Sequence, residues 1–175
     1  GDVKLAWRQK EGEPVSGGEF SAQRLDLALM AQVASRIPMG AALRQLLGEL
    51  KPQGAISDVT AIWEGPLDAP RRYQVKGQLN GLSLAARPAS DAHRIGRPGL
   101  RNASLQLNAT ETGGTAKLGV QGGMIEVPGV FADPRVPLDR LAAELQWSVG
   151  AGKVTVRVKN ARFSNPDMQG EFDAT

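Results

Sequence analysis

The seven residues Lys153–Lys159, KVTVRVK, alternate strictly between polar and apolar side chains. Successive side chains of a β-strand point to opposite faces of a sheet, so Val154, Val156 and Val158 share one face. The charged and hydroxyl-bearing side chains between them lie on the other face. The stretch therefore predicts a β-strand with one apolar face and one solvated face.

The same alternation recurs along most of the chain, in runs separated by turn-forming residues. Glycine (21) and proline (11) together make up nearly a fifth of the sequence, which is typical of many strands joined by turns. One run slips in phase near Asp58 and Val59, which indicates a β-bulge. Besides Lys153–Lys159, the predicted strands are Val3–Trp7, Phe20–Leu25, Ala55–Trp63, Tyr73–Leu84, Leu105–Ala109, Ala116–Val120, Met124–Val127, Ala143–Val149 and a last hairpin around Asn165 and Pro166.

One block, Leu25–Lys51, follows a helical period instead. Apolar residues recur every four positions in its first half, and its second half has an apolar stripe at helical spacing. Asp26 is the predicted N-cap, and Pro38 ends the first helix, so the block forms a helical hairpin or one kinked helix. We expect the stripe to pack on the sheet, with a cap at one end of a trough as the alternative. The candidate cap residues are Leu43, Leu46, Leu47 and Leu50.

Composition and charge exclude several classes of protein. The 21 basic and 18 acidic residues are interspersed and leave a net charge of +3, so no basic patch predicts a nucleic-acid partner. The absence of cysteine excludes disulfides and thiolate metal sites. Aromatic residues make up 5% of the chain, too few for the stacking surface of a typical sugar-binding domain. No run of 18 apolar residues predicts a transmembrane helix.

The residues that support catalysis or metal binding are scarce in this sequence. The single histidine, His93, has only Asp91 as a nearby carboxylate in a polar loop, and the ordinary interpretation is an exposed histidine. No GxSxG or calcium-loop pattern occurs. The glycine pairs at 17–18, 113–114 and 122–123 precede no helix, so they indicate turns and not phosphate-binding loops. The sequence predicts no enzyme, no metal site and no cofactor.

The order of short motifs from Arg24 to Phe172 resembles a known family. RLDL is followed by the paired helix, LKPQG, a strand ending in tryptophan, YQVKGQLNGLSL, RPGL and a glycine pair. DRLAAELQW and FSNPDMQGEF complete the series. This order resembles the large AsmA-like proteins of the YhdP type.

The resemblance implies a location and a function. Proteins of this type are similar to bridge-like lipid-transfer proteins, anchored in the inner membrane of the Gram-negative envelope with a long periplasmic part. The implied fold is a curved antiparallel sheet that forms an apolar trough. The implied partners are phospholipid acyl chains that move along the trough between the inner and outer membranes. A non-enzymatic scaffold that binds other envelope proteins through its sheet edges is the alternative function.

We therefore expect a mainly β fold, with a long antiparallel meander and one helical hairpin at residues 25–51. Residues 1–175 are expected to form a single module of a longer, repetitive β protein, because strand-like sequence begins and ends the chain without an initial methionine. The apolar strand faces form either a closed core or an open trough. In an open trough the candidate lining residues are Val75, Leu79, Leu105, Leu107, Leu118, Leu145, Trp147, Val154, Val156 and Val158.

Overall fold

The computed structural model describes residues 2–9, 16–34, 45, 48–67, 69–89, 96–130, 132–150 and 152–175. Nine strands form one open antiparallel sheet in which the spatial order equals the chain order, so the predicted mainly β meander is confirmed. One helix, α1 (Leu27–Ala34), follows the second strand. The strands are β1 (Val3–Arg8), β2 (Gly17–Asp26), β3 (Gln53–Glu64), β4 (Arg72–Leu84), β5 (Gly99–Thr110), β6 (Gly113–Glu126), β7 (Arg135–Gly150), β8 (Lys153–Ser164) and β9 (Gln169–Ala174).

The two ends of the sheet differ in the length of their connections. Each strand runs antiparallel to the one before it, so connections alternate between the ends. At one end, called the turn end here, residues 111–112 join β5 to β6 and residues 65–71 join β3 to β4. At the other, called the helix end, the connections include residues 27–52, 85–98 and 127–134. The two longest connections, 27–52 and 85–98, therefore lie at the helix end.

The strand register carries apolar residues straight across the sheet. Residues directly opposite each other in an antiparallel pair project from the same face. One such row is Leu79, Leu105, Leu118 and Ala143, and the next is Gly77, Leu107, Ala116, Leu145 and Val158. We call this side the apolar face. The opposite side, the polar face, has rows such as Gln106, Lys117, Glu144 and Lys159.

A β-bulge in β3 confirms the slip in alternation seen in the sequence. The pairing of β3 with β4 shifts between Ser57 and Thr60, and Asp58 lies there with φ 51°. The extra residue restores the phase, because Ile56 pairs with Leu79 while Ala61 pairs with Val75. Both apolar side chains therefore stay on the apolar face, although five positions separate them.

Further bulges curve the sheet. Positive φ angles mark the irregular positions in β4, β5, β6 and β8, and extra residues at such positions bend a strand and increase its twist. The predicted break at Gly122–Gly123 is wrong, because β6 continues through it as a single irregular strand. The glycine pair looks like a turn in the sequence but serves as a bulge. The residues with positive φ at these irregularities are Gly81, Asn102, Gly122 and Asn160.

The buried core lies on the apolar face toward the helix end. Leu82, Ala103, Val120 and Leu138 form its buried cluster, with exposed fractions of 6% or less. Leu27, the first residue of α1, packs against this cluster. The helix thus supplies part of the second layer that this end of the sheet needs.

The helical block begins later than predicted. Leu25 and Asp26 belong to β2, and α1 starts at Leu27. Asp26 is the N-cap as predicted, since its Oδ1 accepts the N–H groups of Ala28 (2.8 Å) and Leu29 (3.0 Å). Leu29, placed on the packed stripe by the sequence pattern, is 61% exposed. Leu25 lies in β2, so its four-residue spacing to Leu29 does not place the two side chains on one helix face.

The second half of the block is described only in part. Gln45 and residues 48–50 are helical, and Leu50 is half-buried. The predicted stop at Pro38 and three of the candidate cap residues, Leu43, Leu46 and Leu47, lie outside the described residues.

Candidate functional site: the apolar face of the sheet

All ten residues predicted to line a trough lie on the apolar face. Trp147 pairs with Val156, Val149 with Val154, and Val75 with Ala109, which adds a further row beside the two given above. Val154 (64%) and Val156 (44%) are exposed. The remaining eight, Val75, Leu79, Leu105, Leu107, Leu118, Leu145, Trp147 and Val158, are half-buried. The structure brings the predicted residues together and leaves each of them partly accessible.

Two tryptophans are seated on glycines at the turn end of this face. Gly18 is paired with Trp63, and Gly114 is paired with Trp147. A Cβ added to Gly18 would lie 2.5 Å from Cζ2 of Trp63, and one added to Gly114 would lie 2.4 Å from Cζ2 of Trp147. Each indole therefore rests on bare backbone. The sequence analysis did not predict either contact, although Gly18 and Gly114 each belong to a glycine pair.

The edge of the sheet exposes a third tryptophan. Trp7 on β1 contacts Trp63 edge to face, with ring centroids 5.5 Å apart. Trp63 is 5% exposed, whereas Trp7 is 49% exposed. The reason is position, because β1 has a neighbouring strand on one side only.

Small residues occupy the middle of the apolar face. Ala61, Val75, Ala109 and Gly114 are consecutive across β3 to β6 in one row. Larger apolar side chains lie at the flanks of this row, with Phe20 on β2 and Trp147 on β7. The row is therefore low at its centre, apart from Gly114, which the indole of Trp147 covers.

The helix end of the same face is closed by polar contacts around Glu49. Arg97 Nη1 donates to Oε2 of Glu49 at 3.0 Å, and Arg97 Nη2 donates to the carbonyl oxygen of Glu49 at 2.7 Å. Arg87 Nη1 lies 3.2 Å from Oε1. The N–H of Ala85 donates to the carbonyl oxygen of Leu50 at 2.9 Å. These contacts hold the helical residues 48–50 against the connection between β4 and β5.

The charge around Glu49 favours its ionised form. The pKa of Glu49 is lowered below its ordinary value of 4.5, and the hydrogen bond from Gln45 is the largest cause. Hydrogen bonds from Arg97 and Arg87 and the charge of Arg87 also lower the pKa, while desolvation raises it. Nε of Arg97 is buried and has no acceptor among the described residues. The two guanidinium groups therefore carry more N–H donors than the carboxylate of Glu49 accepts.

The polar face has different chemistry. It contains a shallow hollow of about 570 Å³ above the central strands. Lysine and amide side chains dominate its lining, including Lys76, Gln106, Lys117 and Lys159. Such a surface favours water and polar ligands over hydrocarbon. The two faces of the sheet thus separate an apolar surface from a solvated one.

The described residues contain no group of three or more histidine, cysteine, aspartate or glutamate side chains arranged to hold a metal ion. His93 and Asp91 lie outside the described residues. None of the helices described in the structure has the length and apolar character needed to cross a bilayer.

Comparison with known proteins identifies the family. Neither the curated proteins nor the solved structures include a match to this chain. The family model described as "YhdP protein" matches residues 1–175. The match covers every strand of the sheet, α1 and the Glu49 contacts. The chain therefore belongs to the YhdP family.

Proposed function

We propose that this chain forms a segment of a periplasmic apolar conduit, along which phospholipid acyl chains move between the inner and outer membranes. The observation that carries the proposal is the continuous apolar face. Rows of leucine, valine and alanine cross the sheet, and their leucine and valine side chains toward the turn end remain half-buried or exposed. Large exposed apolar patches in proteins mark surfaces that bind apolar partners.

Energetics favours hydrocarbon as the occupant of this face. Removing apolar surface from water contributes about 0.8 kcal/mol for each buried methylene group. Contacts of this kind need no fixed orientation, so a chain can shift from one row to the next at little cost. A series of similar rows suits a ligand that slides.

Membership of the YhdP family supports the same direction, since this family is associated with the cell envelope and with lipid transport. We assign the module to the periplasm and the longer protein to an anchor in the inner membrane. The family is not known as enzymatic, and the proposal gives this chain no catalytic role.

Photo-crosslinking with a neutral diacylglycerol that carries a diazirine on its acyl chain tests the proposal. We expect crosslinks to Leu107, Leu145 and Val156 on the apolar face, and not to their polar-face neighbours Gln106 and Gln146 on β5 and β7. Native mass spectrometry of the purified protein should show lipid adducts. Crosslinks distributed equally over both faces would contradict the conduit.

A scaffold that binds envelope proteins by strand addition is the second candidate. The observation in its favour is the edge strand β1, where Val3 (54%), Leu5 (53%) and Trp7 (49%) are exposed beside unpaired backbone groups. Hydrogen exchange separates the two functions. Lipid bound in a conduit should not slow hydrogen exchange at the β1 amides more than elsewhere. A partner that adds a strand should slow exchange at the β1 amides first.

A further inference from the structure

Two arginines face each other at the rim of the apolar face. Arg87 and Arg97 form an isolated antiparallel bridge, with backbone hydrogen bonds of 3.0 and 2.8 Å. The bridge lies just beyond the pair Leu84 and Leu100, whose side chains pack on the buried cluster at the helix end. A cationic pair is thus placed beside the buried apolar cluster at the helix end.

The carboxylate of Glu49 binds both arginines of this pair. It receives Nη1 of Arg97 at 3.0 Å and lies 3.2 Å from Nη1 of Arg87. The helical residues around Glu49 have a separate attachment, the backbone bond from Ala85 to Leu50. The carboxylate can therefore leave the arginines without detaching the backbone that carries it.

The arginines have binding capacity that Glu49 does not use. Among the residues that the structure describes here, two guanidinium groups face the single carboxylate of Glu49. Arg97 Nε has no acceptor among the described residues, and the side chain of Arg87 is 62% exposed. A phosphodiester carries a single negative charge, as a carboxylate does, and its two non-bridging oxygens match the planar donor fork of arginine.

We propose that Arg87 and Arg97 form a binding site for the phosphodiester of a phospholipid headgroup, and that Glu49 is an intramolecular occupant which the headgroup displaces. The acyl chains of the same lipid would extend past the buried cluster toward the half-buried row of Leu79, Leu105 and Leu118. This inference rests on the proposed function only in taking a lipid as the source of the phosphate. The polar face cannot serve the same lipid, because it lies on the opposite side of the sheet.

Isothermal titration with dihexanoyl phosphatidylglycerol below its micelle concentration tests the site. Glu49→Gln removes the competing charge and should tighten binding roughly tenfold, the value of one charge-assisted hydrogen bond. Arg97→Gln should abolish binding. Arg97→Lys keeps the charge and loses the fork, so it should bind at least about fivefold more weakly than the parent.

The control is the ion pair of Arg162 with Glu171 on the polar face, where the side chains are 73% and 77% exposed. Glu171→Gln should leave the affinity unchanged. A Glu49→Gln variant that folds, as judged by circular dichroism, but binds no more tightly than the parent would overturn the proposal and leave Glu49 as a structural tether. Equal affinity for inorganic phosphate would overturn the assignment to a lipid headgroup.

The outcome is independent of the test of the conduit. The neutral diacylglycerol used for crosslinking has no phosphate, so Glu49→Gln and Arg97→Gln should leave its crosslinks to Leu145 and Val156 unchanged. Loss of headgroup binding with intact crosslinking therefore contradicts the headgroup site alone. Absence of crosslinking in the parent contradicts the conduit alone.

Discussion

Single residues at the turn end decide how the tryptophans pack. Gly18 and Gly114 each lie beneath an indole, at a distance that leaves no room for a Cβ. The sequence shows a glycine pair and, far along the chain, a tryptophan. It cannot show that the two meet, because the contact depends on the register between strands. This is the part of the face that residue patterns do not predict.

Gly18→Ala should lower the free energy of unfolding by about 1–3 kcal/mol, because the added methyl group overlaps both Trp63 and the carbonyl oxygen of Ala6. Gly150→Ala is the control, since an added Cβ there has no neighbour within 4 Å among the described residues. Urea denaturation of both variants measures the difference. Equal stability of the two would contradict the seated indole.

Glu111 at the turn between β5 and β6 gives the sheet a dependence on pH. The N–H of Tyr73 donates to Oε2 of Glu111 at 3.0 Å, and this bond is the main reason that the pKa of Glu111 is lowered below 4.5. A carboxyl group whose pKa is depressed by folding stabilises the protein above its unfolded pKa. That contribution is lost as the pH falls through the lower, folded pKa.

Glu111→Gln should therefore be less stable than the parent at about pH 7, and the difference should vanish below the folded pKa of Glu111. The loss begins near 4.5, the ordinary value, and is complete at lower pH. Paired urea denaturation curves across this range isolate Glu111 from the other carboxylates. A difference that stays constant with pH would contradict the assigned hydrogen bond.

At the scale of elements, alternation predicted the strands well because it is a local property. The valines of β8 and the leucines of β5 lie on the face that the pattern assigned. The pattern failed where the chain leaves strict alternation. The pair Gly122–Gly123 resembles a turn in the sequence but lies inside β6. Leu25 fits both the end of a strand and the start of the helical block, and it pairs with Ile56 in the sheet. Asp26 was identified correctly because an N-cap needs only local chemistry.

The bulge in β3 supplies a test at this scale. Deletion of Asp58 would remove the phase correction and turn Ile56 toward the polar face. The free energy of unfolding should fall by at least about 2 kcal/mol. Asp58→Gly keeps the extra residue and accepts the positive φ of 51°, so it should change stability by less than about 1 kcal/mol. Similar stability of the two variants would contradict the role of the bulge in holding register.

For the whole molecule, the sequence left open whether the apolar face is a closed core or an open trough. Val120 and Val156 occupy the same local pattern, yet Val120 is 1% exposed and Val156 is 44% exposed. The difference comes from residues distant in the chain, since Leu27 and Leu138 pack around Val120. A strand pattern indicates which face is apolar, but it contains no information about what covers that face.

The most direct test of the open face compares aspartate at three positions. Val156→Asp should remain folded and lose less than about 1 kcal/mol of stability, because a carboxylate there stays hydrated. Val120→Asp buries an unpaired charge and should cost several kcal/mol, or prevent folding. Thr155→Asp on the polar face of the same strand is the control for an added charge.

The decisive measurement is the crosslinking of each folded variant to the diazirine-labelled neutral diacylglycerol. We expect Val156→Asp to take up clearly less lipid than the parent, because the charge interrupts the apolar path, and Thr155→Asp to take up the same amount. Unfolding of Val156→Asp would contradict the open face. A folded Val156→Asp with unchanged crosslinking would contradict a lipid path across β8.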